Sequence, residues 1–191
     1  ERVRRVVVLS AAHRPAPMAS AQRAIQREIL RAGIAAGTPE QAVALARALA
    51  VTTYRSDAEF AQRFAGGPEW RDGRWQLPVE GYLEAQGARF AARFTAQRYL
   101  VLSESLDLHR VEPAALRAPL DLFAVREDRL VPAEDIHALA SACSAEVHEI
   151  SSLYGHDAFL KEEGEVAAWL RRSLAATRGQ GGRMRPIAAS A

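Results

Sequence analysis

The chain has 191 residues, 49% hydrophobic and 25% charged, which suits one domain with a sizeable core, or one domain carrying an insertion. Its formal charge is only +2 and its arginines are scattered among acids except near the C-terminus, so it lacks the basic stripe of a nucleic-acid binder. A single cysteine, Cys143, excludes an internal disulfide and points to the cytoplasm, and with no apolar run near the ~20 residues that span a bilayer, no membrane partner is expected.

Val6-Val7-Val8-Leu9 reads as a buried strand over residues 5–10, a β-branched run bounded by charge and by Ser/Ala. It starts without a lead-in, as though the sequence entered a domain partway. Helical periodicity follows. A first helix carries Ala21, Ile25, Ile29 and Ala32 and is expected to stop at Gly33. A second opens at Thr38-Pro39-Glu40-Gln41 and is expected to present Leu45 and Leu49 on one face. The capping box Ser56-Asp57-Ala58-Glu59 opens a third, with Phe60 and Phe64 one turn apart and Gly66-Gly67-Pro68 as its stop. Residues 69–78, with Trp70 and Trp75, read as a polar surface loop, followed by helices at about 79–87 and 90–107.

After Pro119 strands and helices alternate: strand 120–125, helix 133–143, strand 146–152 and helix 161–174. That rhythm implies parallel strands joined by crossover helices. The expected organisation is an α/β core over 1–15 and 111–176, a helical lid over 16–110, and a disordered glycine- and arginine-rich tail over 177–191.

The chemistry gathers at two strand ends. Strand 120–125 runs into Arg126-Glu127-Asp128, and strand 146–152 into Leu153-Tyr154-Gly155-His156-Asp157. An acid after one strand and a histidine after the next is the chain order that closes an α/β-hydrolase triad. Asp128 would fix the tautomer of His156 and stabilise its cation, although spacing alone leaves Glu127 open as the partner. The expected nucleophile turn, Gly-x-Ser-x-Gly, occurs nowhere in the chain. His13, His109, His137 and His148 have no zinc-ligand spacing to Cys, Asp or Glu, so no metal and no cofactor are expected.

Four segments in order carry a resemblance: Ala46-Arg47 through Thr53-Tyr54-Arg55-Ser56, Val79-Glu80-Gly81-Tyr82-Leu83, Glu127-Asp128-Arg129-Leu130-Val131-Pro132, and Gly155-His156-Asp157-Ala158-Phe159-Leu160. Together they resemble the homoserine O-acyltransferases of methionine biosynthesis, within the α/β-hydrolase superfamily. The likeness extends to about Leu174 and corresponds to the C-terminal half of such an enzyme, the nucleophile half being absent.

The resemblance implies Asp128 and His156 as triad acid and base, Arg47 and Tyr54 as lid residues near the substrate carboxylate, and Asp157 as the acid facing its ammonium. It implies a ping-pong transfer from acyl-CoA, acetyl first and succinyl second, to L-homoserine. The serine would come from an N-terminal half outside this chain, and the partners would include a second copy docked through the lid. Alone, the 191-residue chain is expected to be inactive. Two other readings stay open: an α/β-hydrolase esterase, and an inactive truncated remnant or interaction module.

Overall fold

The computed structural model describes residues 3–179. Strand β1 (Val6–Leu9) leads into helices α1 (Pro17–Ala35), α2 (Pro39–Val51) and α3 (Asp57–Arg63). A hairpin, β2 (Glu69–Arg71) and β3 (Arg74–Gln76), precedes α4 (Pro78–Ala91) and α5 (Ala96–Leu108). The chain then returns through β4 (Leu120–Val125), α6 (Ala133–Cys143) and β5 (Glu146–Ile150) to the short α7 (Ala158–Lys161) and to α8 (Glu163–Gly179).

The three longer strands form a parallel sheet in the order β1-β4-β5, with Val6 opposite Leu120 and Asp121 opposite Glu146. β4 is apolar throughout except for Asp121 because both its faces are covered. Leu120, Leu122 and Ala124 pack on Ile136, Leu139 and Ala140 of α6. Phe123 and Val125 pack on the other side against Ala158, Val166 and Trp169 of α7 and α8. Asp121 is met by the Arg5 guanidinium at 2.7 Å.

Lid helices α1, α2 and α5 share a separate core of Leu30, Ala42, Val43, Ala46 and Ala96, with Phe90 and Ala91 of α4 packed against it. Here several sequence expectations are corrected. Helix α1 runs past Gly33 to Ala35, because Gly33 is a contact point and not a stop: a Cβ there would lie 2.2 Å from that of Ala42. The turn is made by Gly37, at φ +74°. Helix α2 buries its alanine face, leaving Leu45 60% exposed, and Thr38 makes no side-chain cap. Ser56 does cap α3, accepting from the Glu59 N–H at 3.1 Å.

Residues 69–76, within the expected loop, form the β2–β3 hairpin, and Pro78 already opens α4. Asp72 and Gly73, at φ 50° and 77°, make the two-residue turn that matches strand twist, and Trp70 pairs with Trp75 across it. The helix expected over 90–107 is divided between α4 and α5, Thr95 capping the second. Helix α8 continues to Gly179, beyond the expected start of the tail, and residues 180–191 lie outside the described residues. No described helix is long and apolar enough to cross a membrane.

Candidate active site

His156 stands in a short 3-10 turn, Gly155–Asp157, after β5, at the carboxyl edge of the sheet where α/β sites form. Gly155 is needed there for two reasons. Its φ is +54°, and a Cβ would come within 3.0 Å of the Ser56 backbone nitrogen and 3.3 Å of the Glu127 carbonyl oxygen. The turn is pinned to the lid as well, with the Asp157 N–H donating to the Tyr54 carbonyl at 3.2 Å and Ser56 Oγ to the Leu153 carbonyl.

The partner of His156 is Asp128 and not Glu127. His156 Nδ1–H donates to Asp128 Oδ2 at 2.7 Å, and the Asp128 side chain is wholly buried. The other oxygen of Asp128 accepts from the backbone N–H groups of Leu130 and Val131, at 2.9 and 2.8 Å. The carboxylate is therefore fully satisfied in its buried place. Glu127 turns away to Ser151 Oγ and the Ser152 N–H. Burial pushes its carboxyl up, but those hydrogen bonds prevail and hold it below the usual range. With Nδ1 engaged, Nε2 is the ring nitrogen of His156 left for an incoming group.

His156 opens on a cleft of about 570 Å³ that it shares with Ser10, Tyr54, Asp157, Leu130 and Phe159. Tyr54, whose ring lies 6.2 Å from that of His156, also lines an adjoining pocket of about 200 Å³ between the lid helices. Arg47 lines that second pocket, donating to Tyr54 Oη at 3.1 Å. The helix ends at Val51, and it is the turn over residues 52–54 that brings Tyr54 back beneath Arg47. Asp157 reaches the cleft, but one of its oxygens is taken by Arg55 Nε at 3.0 Å. Arg47, Tyr54, His156 and Asp157 thus line two neighbouring cavities that share Tyr54, and the wholly buried Asp128 stands behind His156.

Sequence reading missed several neighbours. Tyr99 donates to Gln26 Oε1 at 3.0 Å behind Arg47, and burial raises its hydroxyl's pKa. Phe90 and Arg55 were also unforeseen, since their roles depend on contacts between helices far apart in sequence. His109 lines the cleft, and His148 packs its ring against Phe123 and Trp169. Among the described residues no group of three or more His, Cys, Asp or Glu side chains could hold a metal ion.

No family model matches the chain. It is 41% identical over 178 residues to a homoserine O-succinyltransferase of Xanthomonas campestris, covering 92% of this chain and 48% of that protein. It is 34% identical over 200 residues to a homoserine O-acetyltransferase of Pelobacter propionicus (92% and 54% covered), and 37% identical over 179 residues to one of Thermus thermophilus (87% and 45% covered). The chain spans about half the length of the curated relatives it matches. Among solved structures, a homoserine O-acetyltransferase of Bacillus anthracis superposes with a TM-score of 0.77 at 16% identity, and esterase E22 with 0.79 at 14%, each over 90% of this chain and 54% of the other. At such identities these likenesses establish the α/β-hydrolase fold.

Proposed function

The chain belongs to the homoserine O-acyltransferase family of the α/β-hydrolase superfamily, and we propose that it contributes the acid–base pair and the amino-acid pocket to acyl transfer from an acyl-CoA to the hydroxyl of L-homoserine. The observation that carries this reading is Arg47. Among the described residues the partly buried Arg5, Arg23, Arg27 and Arg55 each meet an aspartate within 3.0 Å. Arg47, also partly buried, meets no acid among the described residues, but the Tyr54 hydroxyl and two ring faces. A sheltered cation without a counter-charge suits an anionic ligand, and a carboxylate matches a guanidinium bidentately. The free oxygen of Asp157 suits the ammonium of the same amino acid.

In this scheme a serine from a segment outside the chain attacks the thioester carbonyl, and its hydroxyl proton passes to Nε2 of His156. That proton then leaves with the coenzyme A thiol as the acyl–serine ester forms. In the second half the hydroxyl of homoserine gives its proton to Nε2 and takes the acyl group, and the proton returns to the serine oxygen. Asp128 holds the Nδ1–H throughout and stabilises the imidazolium. The lid keeps water from the acyl-enzyme, so that homoserine and not water receives the group. The names of the relatives carry both succinyl and acetyl as the transferred group, and coenzyme A as its carrier is part of this proposal. A cytoplasmic homodimer docked through the lid belongs to the same proposal, and Leu45, Val101 and Leu102 of the lid helices are each more than half exposed.

The test is partition. With the nucleophile segment supplied, thiol release from either acyl-CoA should rise at least tenfold on adding L-homoserine, and simple aryl esters should turn over poorly. Ester hydrolysis that outpaces transfer and ignores homoserine would assign the site to an esterase.

A further inference from the structure

The guanidinium of Arg47 is held by more than the tyrosine below it. Its central carbon lies 5.0 Å from the ring centroid of Tyr54 and 4.8 Å from that of Phe90, on α4. Phe90 is itself fixed, with its centroid 4.7 Å from Phe94 and 5.6 Å from Tyr99, the latter edge-on. The reason α4 comes so near α2 is one turn earlier on each helix. A Cβ at the buried Gly87 would stand 2.5 Å from the Ala44 carbonyl oxygen, so only glycine permits that approach. Ala44 and Arg47 are three apart on α2, Gly87 and Phe90 three apart on α4, and such positions are neighbours on one helix face. The close contact at Gly87 therefore sets Phe90 onto Arg47.

Aromatic faces attract a guanidinium without using its N–H groups, unlike a carboxylate, which would occupy the donors that a ligand needs. They also remove rotamer freedom that a long side chain would otherwise lose on binding. We propose that Phe90 is a positioning residue for substrate recognition, clamping Arg47 in the orientation that presents its free N–H edge to the carboxylate of the amino-acid substrate. This rests on the assignment of Arg47 to that carboxylate.

The experiment is titration of the 191-residue chain with L-homoserine and with 2-amino-1,4-butanediol, which replaces the carboxylate by an alcohol. Calorimetry would be run on the unsubstituted chain and on Phe90→Leu, Phe90→Tyr and Arg47→Ala, each checked for an unchanged unfolding midpoint. Phe90→Leu should weaken L-homoserine by roughly fivefold to thirtyfold, the range of a sheltered cation–π contact, leave the diol unchanged, and be rescued by Phe90→Tyr. Equal weakening of both ligands, or none, overturns the clamp. If the unsubstituted chain does not bind L-homoserine, or Arg47→Ala binds it as well, the assignment of Arg47 falls and the clamp with it.

Discussion

Asp128 divides its two oxygens between function and fold: Oδ2 takes the His156 Nδ1–H at 2.7 Å, and Oδ1 ties down the backbone N–H groups of Leu130 and Val131. Substitution can separate the two tasks. Asp128→Asn retains a carbonyl oxygen for the backbone but cannot stabilise an imidazolium, so turnover in the nucleophile-supplied protein should fall about 10³–10⁴-fold with little change in the unfolding midpoint. Asp128→Ala should in addition lose about 1–3 kcal/mol of stability in urea denaturation, because buried donors are left unpaired. Glu127→Gln should change turnover by less than about threefold, since that carboxylate faces Ser151 and Ser152; a loss as large as that of Asp128→Asn would reverse the assignment.

The histidine turn depends on Gly155 in a way that can be measured without activity. Gly155→Ala places a Cβ in left-handed backbone against the 55–56 segment of the lid, and should lower the unfolding midpoint by roughly 2–8 °C. Gly164→Ala is the control. Nothing lies within 4 Å of a Cβ there, and in helix α8 the change should be neutral or slightly stabilising.

A pH dependence follows from the contact of α1 with α5, where Asp107 receives Arg23, Arg27 and Ser20. Burial pushes its carboxyl up, but the three hydrogen bonds prevail and hold it below the ordinary 3.8. The unfolded chain therefore binds the proton more readily. The stabilisation is complete above the unfolded pKa and is lost as pH falls below about 3.8 toward the lower folded value. Urea midpoints measured from pH 6 to pH 3 should drop for the native chain, and Asp107→Asn should flatten the drop.

Much of this was legible in the sequence where one element decides its own fate. β4 announces itself because both its faces are buried, and the acid and histidine stand directly after their strands. The hairpin was legible in principle: Asp72-Gly73 flanked by Trp70 and Trp75 is a turn signal that composition as a polar loop obscured. Leu45 misled because α2 packs through alanines closely enough that the small face, not the large one, is inside. Gly33 and Gly87 gave no local sign of their role, since each is required by a residue on another helix, Ala42 and Ala44. The same distance in sequence hid Arg55 as the partner of Asp157 and Phe90 as the partner of Arg47.

We propose that this chain supplies the acid and base for an acyl transfer whose nucleophile comes from another segment. The most direct measurement is thiol release from acetyl-CoA and succinyl-CoA with L-homoserine, by the 191-residue chain alone and by the chain joined to a segment bearing a Gly-x-Ser-x-Gly turn. The expected result is no turnover by the chain alone, homoserine-dependent turnover when joined, and a loss of at least about 10³-fold in the joined His156→Ala protein. Turnover by the chain alone, or joined turnover indifferent to His156→Ala, would contradict it.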